Sequence, residues 1–126
     1  MKRIYLGLSI LAVLLALAIA FTVVMARIHT PMAQALQEAA QAAAYGDWDT
    51  AETLTAEVTS SWQRHKRFTA ALADHSPMDD MEGLFAELDV YLRQREMPHF
   101  AATCLHLSRL AEAMADNHAL NWWNLL

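Results

Sequence analysis

The densest set of side chains able to do chemistry is Asp74-His75-Ser76, followed by Asp79, Asp80 and Glu82. A histidine with one or two carboxylates at that spacing is a candidate ligand set for a divalent metal. The same residues also satisfy the rules for a helix junction. Ser76 would cap the following helix, the acids would sit at the positive end of its dipole, and His75 would complete the last carbonyls of the helix before it. The junction reading is the simpler one, so no metal and no cofactor is expected. Glu96-x-x-His99 has the spacing used by di-metal bundles, but those need two such pairs plus two further carboxylates. Only one copy exists, and Pro98 falls between its members. His65 and His106 lie on or near apolar stripes and read as partly buried histidines with local hydrogen bonds. The one cysteine, Cys104, also falls on an apolar stripe and reads as a buried, inert thiol. A single thiol excludes an intramolecular disulfide framework and any multi-thiolate zinc site. There is no HExxH, P-loop or CxxCH pattern, and no enzymatic activity is expected.

Two further groups of residues suit recognition rather than catalysis. Arg64-His65-Lys66-Arg67 is a short basic patch in a mostly acidic region, so Arg64, Lys66 and Arg67 are candidates for meeting lipid headgroups or an acidic partner. Trp122-Trp123 either folds back to cap the domain, within a segment running from 117 to 126, or faces a partner or a membrane. A small-ligand site between helices would draw on Trp62, His65 and Phe68, with Tyr91 beside them if their helices pair antiparallel.

These residues depend on a chain with two unlike parts. Ile4 to Ala26 holds 20 apolar residues of 23 and no charge. As a helix it would measure roughly 35 Å, enough to cross a hydrocarbon core of about 30 Å. Lys2 and Arg3 precede it and Arg27 follows, a small excess that favours a cytoplasmic N-terminus and an extracytoplasmic C-terminal domain. The rival is a cleaved signal peptide, with Ala18-Ile19-Ala20 as the small-x-small site. Against it, the apolar run continues well past that site, so an uncleaved anchor over 1–27 is expected, with the helical domain over 28–126. From Arg27 onward there are 7 basic and 14 acidic residues, a net charge of −7, which argues against nucleic acid or anionic lipid as a partner of the domain as a whole.

The remainder reads as all-α. Only two valines and one isoleucine occur beyond the anchor, too few for a sheet. Thr30-Pro31 and Ser76-Pro77 look like helix starts, Met97-Pro98 must lie at a helix edge, and Gly46-Asp47 joins a C-terminal glycine to an N-cap aspartate. The predicted helices run over about 31–45, 47–73, 78–95 and 98–115, each with an apolar stripe of helical period. Short connections make neighbours antiparallel. The architecture expected is an N-terminal transmembrane helix followed by a four-helix antiparallel bundle or two helical hairpins. A faint repeat aligns Trp48-x-x-Ala51-x-x-Leu54 with His99-x-Ala101-Ala102-x-x-Leu105.

Gly46-Asp47-Trp48-Asp49-Thr50-Ala51, Trp62, Asp74-His75-Ser76 and the ending Leu120-Asn121-Trp122-Trp123-Asn124-Leu125-Leu126, taken with one N-terminal span, carry a resemblance. The chain resembles the bacterial domain-of-unknown-function family 4363, short single-span membrane proteins, over nearly its whole length. Pro77 and Met78 depart from the acidic and aliphatic residues expected after the His-Ser pair. The resemblance implies a membrane-anchored helical domain and supplies no catalytic residues. It also suggests an accessory role beside small multi-pass membrane proteins. The expected function is therefore a non-catalytic, single-pass accessory protein of the cell membrane, held in the lipid bilayer by one span. An extracytoplasmic small-ligand-binding or sensory bundle is the alternative.

Overall fold

All four helices carry their buried residues at alternating intervals of four and three. On α1 (Lys2–Ala44) the seam is Met25, His29, Met32, Leu36, Ala39 and Ala43. On α2 (Trp48–Leu72) it is Ala51, Thr55, Val58, Trp62 and, two turns on, Thr69. On α3 (His75–Gln94) it is Met78, Met81, Phe85 and Leu88, and on α4 (Met97–Leu120) Phe100, Cys104, Leu107, Ala111 and Met114. A seam repeating every 3.5 residues lets helices pack side by side along their length with a small crossing angle. The result is an all-α four-helix bundle, with α1 packed on α2 and most extensively on α4, α3 on α4, and α2 only lightly on α3. The computed structural model describes residues 1–72 and 75–120, except the side chains of Leu72, His75, Ser76 and residues 117–120.

The first helix corrects the sequence reading. Thr30-Pro31 does not start a helix; Pro31 lies inside α1, which runs unbroken from the apolar segment into the bundle. An internal proline removes one N–H and crowds the carbonyl four residues back. The buried seam passes straight across it, with His29 on one side and Met32 on the other, both covered by the bundle. Packing on both sides holds the helical path that local propensity alone would break. The predicted helix over 31–45 is therefore the second half of α1, and the expected division at 27/28 is not marked by any change of backbone.

Two smaller corrections follow. Ser76 does not precede α3: that helix begins at His75, placing Ser76 and Pro77 in the first turn, where a proline's missing N–H has no intrahelical partner to lose. The capping roles suggested for the His75 and Ser76 side chains lie outside the described residues, as does Asp74. Residues 117–120 do not turn back but continue α4. Trp122 and Trp123 lie outside the described residues.

Both hairpins close with the same backbone device. Gly46 N–H bonds Ala43 O at 3.0 Å and Asp47 N–H bonds Ala42 O at 2.8 Å, with Gly46 at φ +77°. Arg95 N–H bonds Leu92 O at 3.2 Å and Glu96 N–H bonds Tyr91 O at 3.1 Å, with Arg95 at φ 52°. These are paired 5→2 and 6→1 closures around one left-handed residue. Each next helix then opens on an acidic residue whose carbonyl accepts from the fourth residue on, Ala51 N–H to Asp47 at 3.2 Å and Phe100 N–H to Glu96 at 2.9 Å. The turns superpose Gly46 on Arg95, so the faint internal likeness between Trp48 and His99 is out of register by two residues. Asp47 caps α2 in full: Oδ1 accepts from Thr50 N–H at 3.2 Å and Oδ2 from Thr50 Oγ1 at 2.6 Å. The Thr50 hydroxyl, then its N–H, hold the Asp47 carboxyl below its ordinary value.

The two turns share their backbone closure but not their left-handed residue, which sets opposite expectations for substitution. A Cβ at Gly46 meets nothing within 4 Å, so Gly46→Ala suffers only the conformational penalty, about 1 kcal/mol of lost stability. Arg95→Gly relieves the same penalty and raises stability by about 1 kcal/mol. Thermal unfolding of the full chain in detergent checks both, and shifts of the same sign would contradict the shared closure.

Candidate functional site

The hairpin turns lie together at one end of the bundle, here called the distal end. The apolar half of α1 projects from the opposite, basal end. Its side chains are open: Ile4, Leu8, Leu11, Leu14 and Leu17 each expose more than half their surface. The apolar half of α1 has a mean hydropathy of 2.8 and is 6% buried, so this half lies outside the core to which the rest of the helix contributes. It is one helix long and apolar enough to cross a membrane, close to the N-terminus. Ser9 and Thr22 return their hydroxyls to carbonyls of the same helix, Leu6 O at 2.9 Å and Ala18 O at 3.0 Å, so neither leaves a polar group unsatisfied on its surface.

The basic patch divides when its partners are seen. Trp62 is fully buried, stacks on Phe85 with centroids 5.7 Å apart, and donates Nε1–H to Glu82 Oε1 at 2.9 Å. Lys66 Nζ donates to the same oxygen at 3.2 Å. One carboxylate from α3 thus joins an indole and an ammonium from α2, across the most lightly packed edge of the bundle. Arg64 and Arg67 are exposed and make no ion pair among the described residues, whereas Lys66 is committed to the fold. His65 is half-buried with Nδ1 2.9 Å from Ser61 O.

Several expected groupings do not form. Tyr91 is not beside Trp62; it stacks on His99 at the distal end, centroids 5.2 Å apart, and Phe85 takes the place beside the indole. Phe68 is 44% exposed rather than part of the apolar stripe, because Thr69 holds the buried position of that turn. His106 is exposed, not partly buried. Glu96 Oε2 and His99 Nδ1 form a surface pair at 3.3 Å in the first turn of α4. Among the described residues no group of three His, Cys, Asp or Glu could hold a metal ion, and Asp74 and the His75 side chain fall outside them. Cys104 is fully buried and its thiol is pushed up to about 12 by burial, which keeps it protonated and unreactive.

Periodicity alone missed the buried polar positions. His29 is fully covered within the α1 seam, and Thr55, Thr69, Thr103 and Ser108 are buried on the other helices. Thr55 Oγ1 returns its proton to Ala51 O at 2.7 Å, and Gln37 Nε2 reaches Ser108 Oγ at 3.0 Å and Glu112 Oε1 at 3.1 Å. His29, Thr55 and Thr69 fall on the 4–3 seams and Thr103 and Ser108 flank the one on α4, but a search for apolar residues passes over them. Between α2 and α3 an open groove of about 460 Å³ remains, lined by Thr55, Thr59, Ser60 and Gln63 on one side and by Phe85, Asp89 and Leu92 on the other.

The architecture defines a class: a helical bundle whose first helix extends beyond it as an exposed apolar rod. Within that class, a family model described as a domain of unknown function, DUF4363, matches residues 20–125, and the chain belongs to that family. Neither the curated proteins nor the solved structures yield a match.

The arrangement ranks the α2–α3 contacts. Trp62→Phe keeps a ring against Phe85 but removes the donor to Glu82, and is expected to lower stability by about 1–3 kcal/mol. Lys66→Ala breaks a pair whose members are each more than a third exposed, and is expected to cost less than about 1 kcal/mol. Denaturant unfolding of the two variants gives the order directly, and a larger loss for Lys66→Ala would contradict it.

Proposed function

We propose that this protein is a non-catalytic accessory protein, anchored in a cell membrane by the apolar half of α1 and presenting its bundle on the far side. The observation that carries the reading is the continuity of α1. A helix that is exposed and apolar over its first half and buried over its second makes anchor and bundle one rigid piece, so a partner that grips the span also positions the bundle. The exposed apolar side chains need a low-polarity surrounding, and a bilayer or the span of another membrane protein supplies it. The charge order Lys2-Arg3 before the segment and Arg27 after it favours a cytoplasmic N-terminus and an extracytoplasmic bundle. The partner that suits this role is a multi-pass membrane protein, with Arg64, Arg67 and the Trp122-Trp123 segment as further contact candidates.

A second reading has one observation in its favour. The α2–α3 groove joins an aromatic floor at Phe85 to hydroxyl and carboxylate groups, the mixture that small-ligand sites use. A stabilising small molecule in a thermal-shift screen, lost on Phe85→Ala, would support it.

Purification of the full-length chain from native membranes after mild crosslinking tests the accessory reading. A stoichiometric multi-pass partner is expected, lost when the exposed face of Ile4–Ala20 is redesigned with other apolar residues. A chain that purifies alone or only with itself would contradict it.

A further inference from the structure

The net charge of the domain hides a polarity along the α1–α2 face. Carboxylates crowd its distal half: Glu38, Asp47, Asp49, Glu52 and Glu57. Below them, α1 has no acidic residue from 1 to 37 and α2 none from 58 to 72. That basal half instead carries Arg27, Arg64, Lys66 and Arg67.

The helices place those arginines at one level. Pro31, Met32 and Ala35 of α1 line a shallow groove with Glu57, Val58 and Ser61 of α2, which fixes the antiparallel register. Continued toward the basal end, that register sets Arg64 level with Ile28, Arg67 with Met25 and Phe68 with Val24. Arg27, Arg64 and Arg67 are all exposed, and none has an ion-pair partner among the described residues. Phe68 is 44% exposed and Val24 40%. On the α1–α2 side, an aromatic ring and free guanidinium groups thus share the end of the bundle from which the apolar rod emerges, whereas α3 brings the exposed Asp79 and Asp80 to its own side of that end.

The length of the rod locates that end relative to a bilayer. Ala18, Phe21 and Thr22 are half-buried, and Met25 is the first fully buried residue of α1. The free apolar stretch from Ile4 to Ala20 is 17 residues, roughly 26 Å of helix, short of a hydrocarbon core of about 30 Å. With Ile4 at one boundary the other falls near Val24, beside Phe68, and the three arginines come to the level of the lipid phosphates. Arginine binds phosphate through two parallel hydrogen bonds, and an exposed aromatic ring is stable at that depth.

From this we infer that the basal end of the α1–α2 face is seated in the headgroup layer of the membrane that α1 crosses, with Arg27, Arg64 and Arg67 on anionic lipid phosphates and Phe68 in the interface. The inference rests on the anchor reading above and adds that the bundle does not stand clear of the bilayer.

Spin labels on the full chain in a Cys104→Ser background test it, in vesicles of phosphatidylcholine with phosphatidylglycerol, using oxygen and a water-soluble nickel chelate as relaxants. Labels go singly at Leu14 in the rod, at Ala71 just below Phe68, and at Tyr45 on the distal end. The Leu14 and Ala71 labels are expected to be shielded from nickel and the Tyr45 label open. With Arg64→Glu/Arg67→Glu, nickel access at Ala71 should rise several-fold while Leu14 stays shielded. An Ala71 label as open as Tyr45 while Leu14 is shielded would overturn the seating and leave the anchor standing. Shielding at Ala71 that survives the double reversal would overturn the arginine–phosphate contact. Nickel access at Leu14 would instead overturn the anchor itself.

Discussion

A proline in the interior of a helix costs about 3 kcal/mol or more, and α1 carries one soon after the exposed apolar rod has entered the bundle. The seam Met25, His29, Met32, Leu36 keeps its 4–3 phase through Pro31, and every one of its members is covered. Burying side chains of that size contributes about 1.5–3 kcal/mol each, enough to outweigh the proline when two lie within a turn on either side. The other helices depend on this result. α4 has its most extensive packing against α1, α2 follows α1 through the Gly46 turn, and α3 is tied to the rest through α4 and the Glu82 contact.

The same constraint explains where the bundle is tight and where it is open. Small residues on α1, Ala33, Ala39, Ala40 and Ala43, bring its axis close to its neighbours, and Gln37 bridges to Ser108 and Glu112 on α4. The α2–α3 edge lacks such a seam. It is held at the basal half by Trp62, Phe85, Glu82 and Lys66, and toward the distal end it opens into the groove lined by hydroxyl side chains. An edge held mainly by polar contacts is the one that local opening would release first.

Much of this was legible in the sequence. The apolar segment, the helical class, the Gly46-Asp47 turn and the family follow from composition, period and motif. The α3–α4 turn was placed correctly by Pro98, but its left-handed residue was invisible because Arg95 is not a residue that prefers that conformation. Pro31 misled because its local signal is that of a helix start, and only the seam on both sides reverses it. Phe68 is exposed and Thr69 buried for a related reason. Hydrophobicity ranks phenylalanine for the core, while the 3.5-residue seam set by Trp62 selects threonine. The division of the basic patch into a committed Lys66 and free Arg64 and Arg67 needed the position of Glu82, which lies on another helix.

Rod and bundle move as one only if α1 is a single helix from rod to distal end, and a distance across Pro31 reads that out. Spin labels at Leu11 and Gln41, in a Cys104→Ser background and reconstituted in lipid, are 30 residues apart and would be about 45 Å apart on a continuous helix. A single narrow distance near that value is the expected result. A short or broad distribution would mean that rod and bundle move independently, and would contradict their rigid coupling through α1.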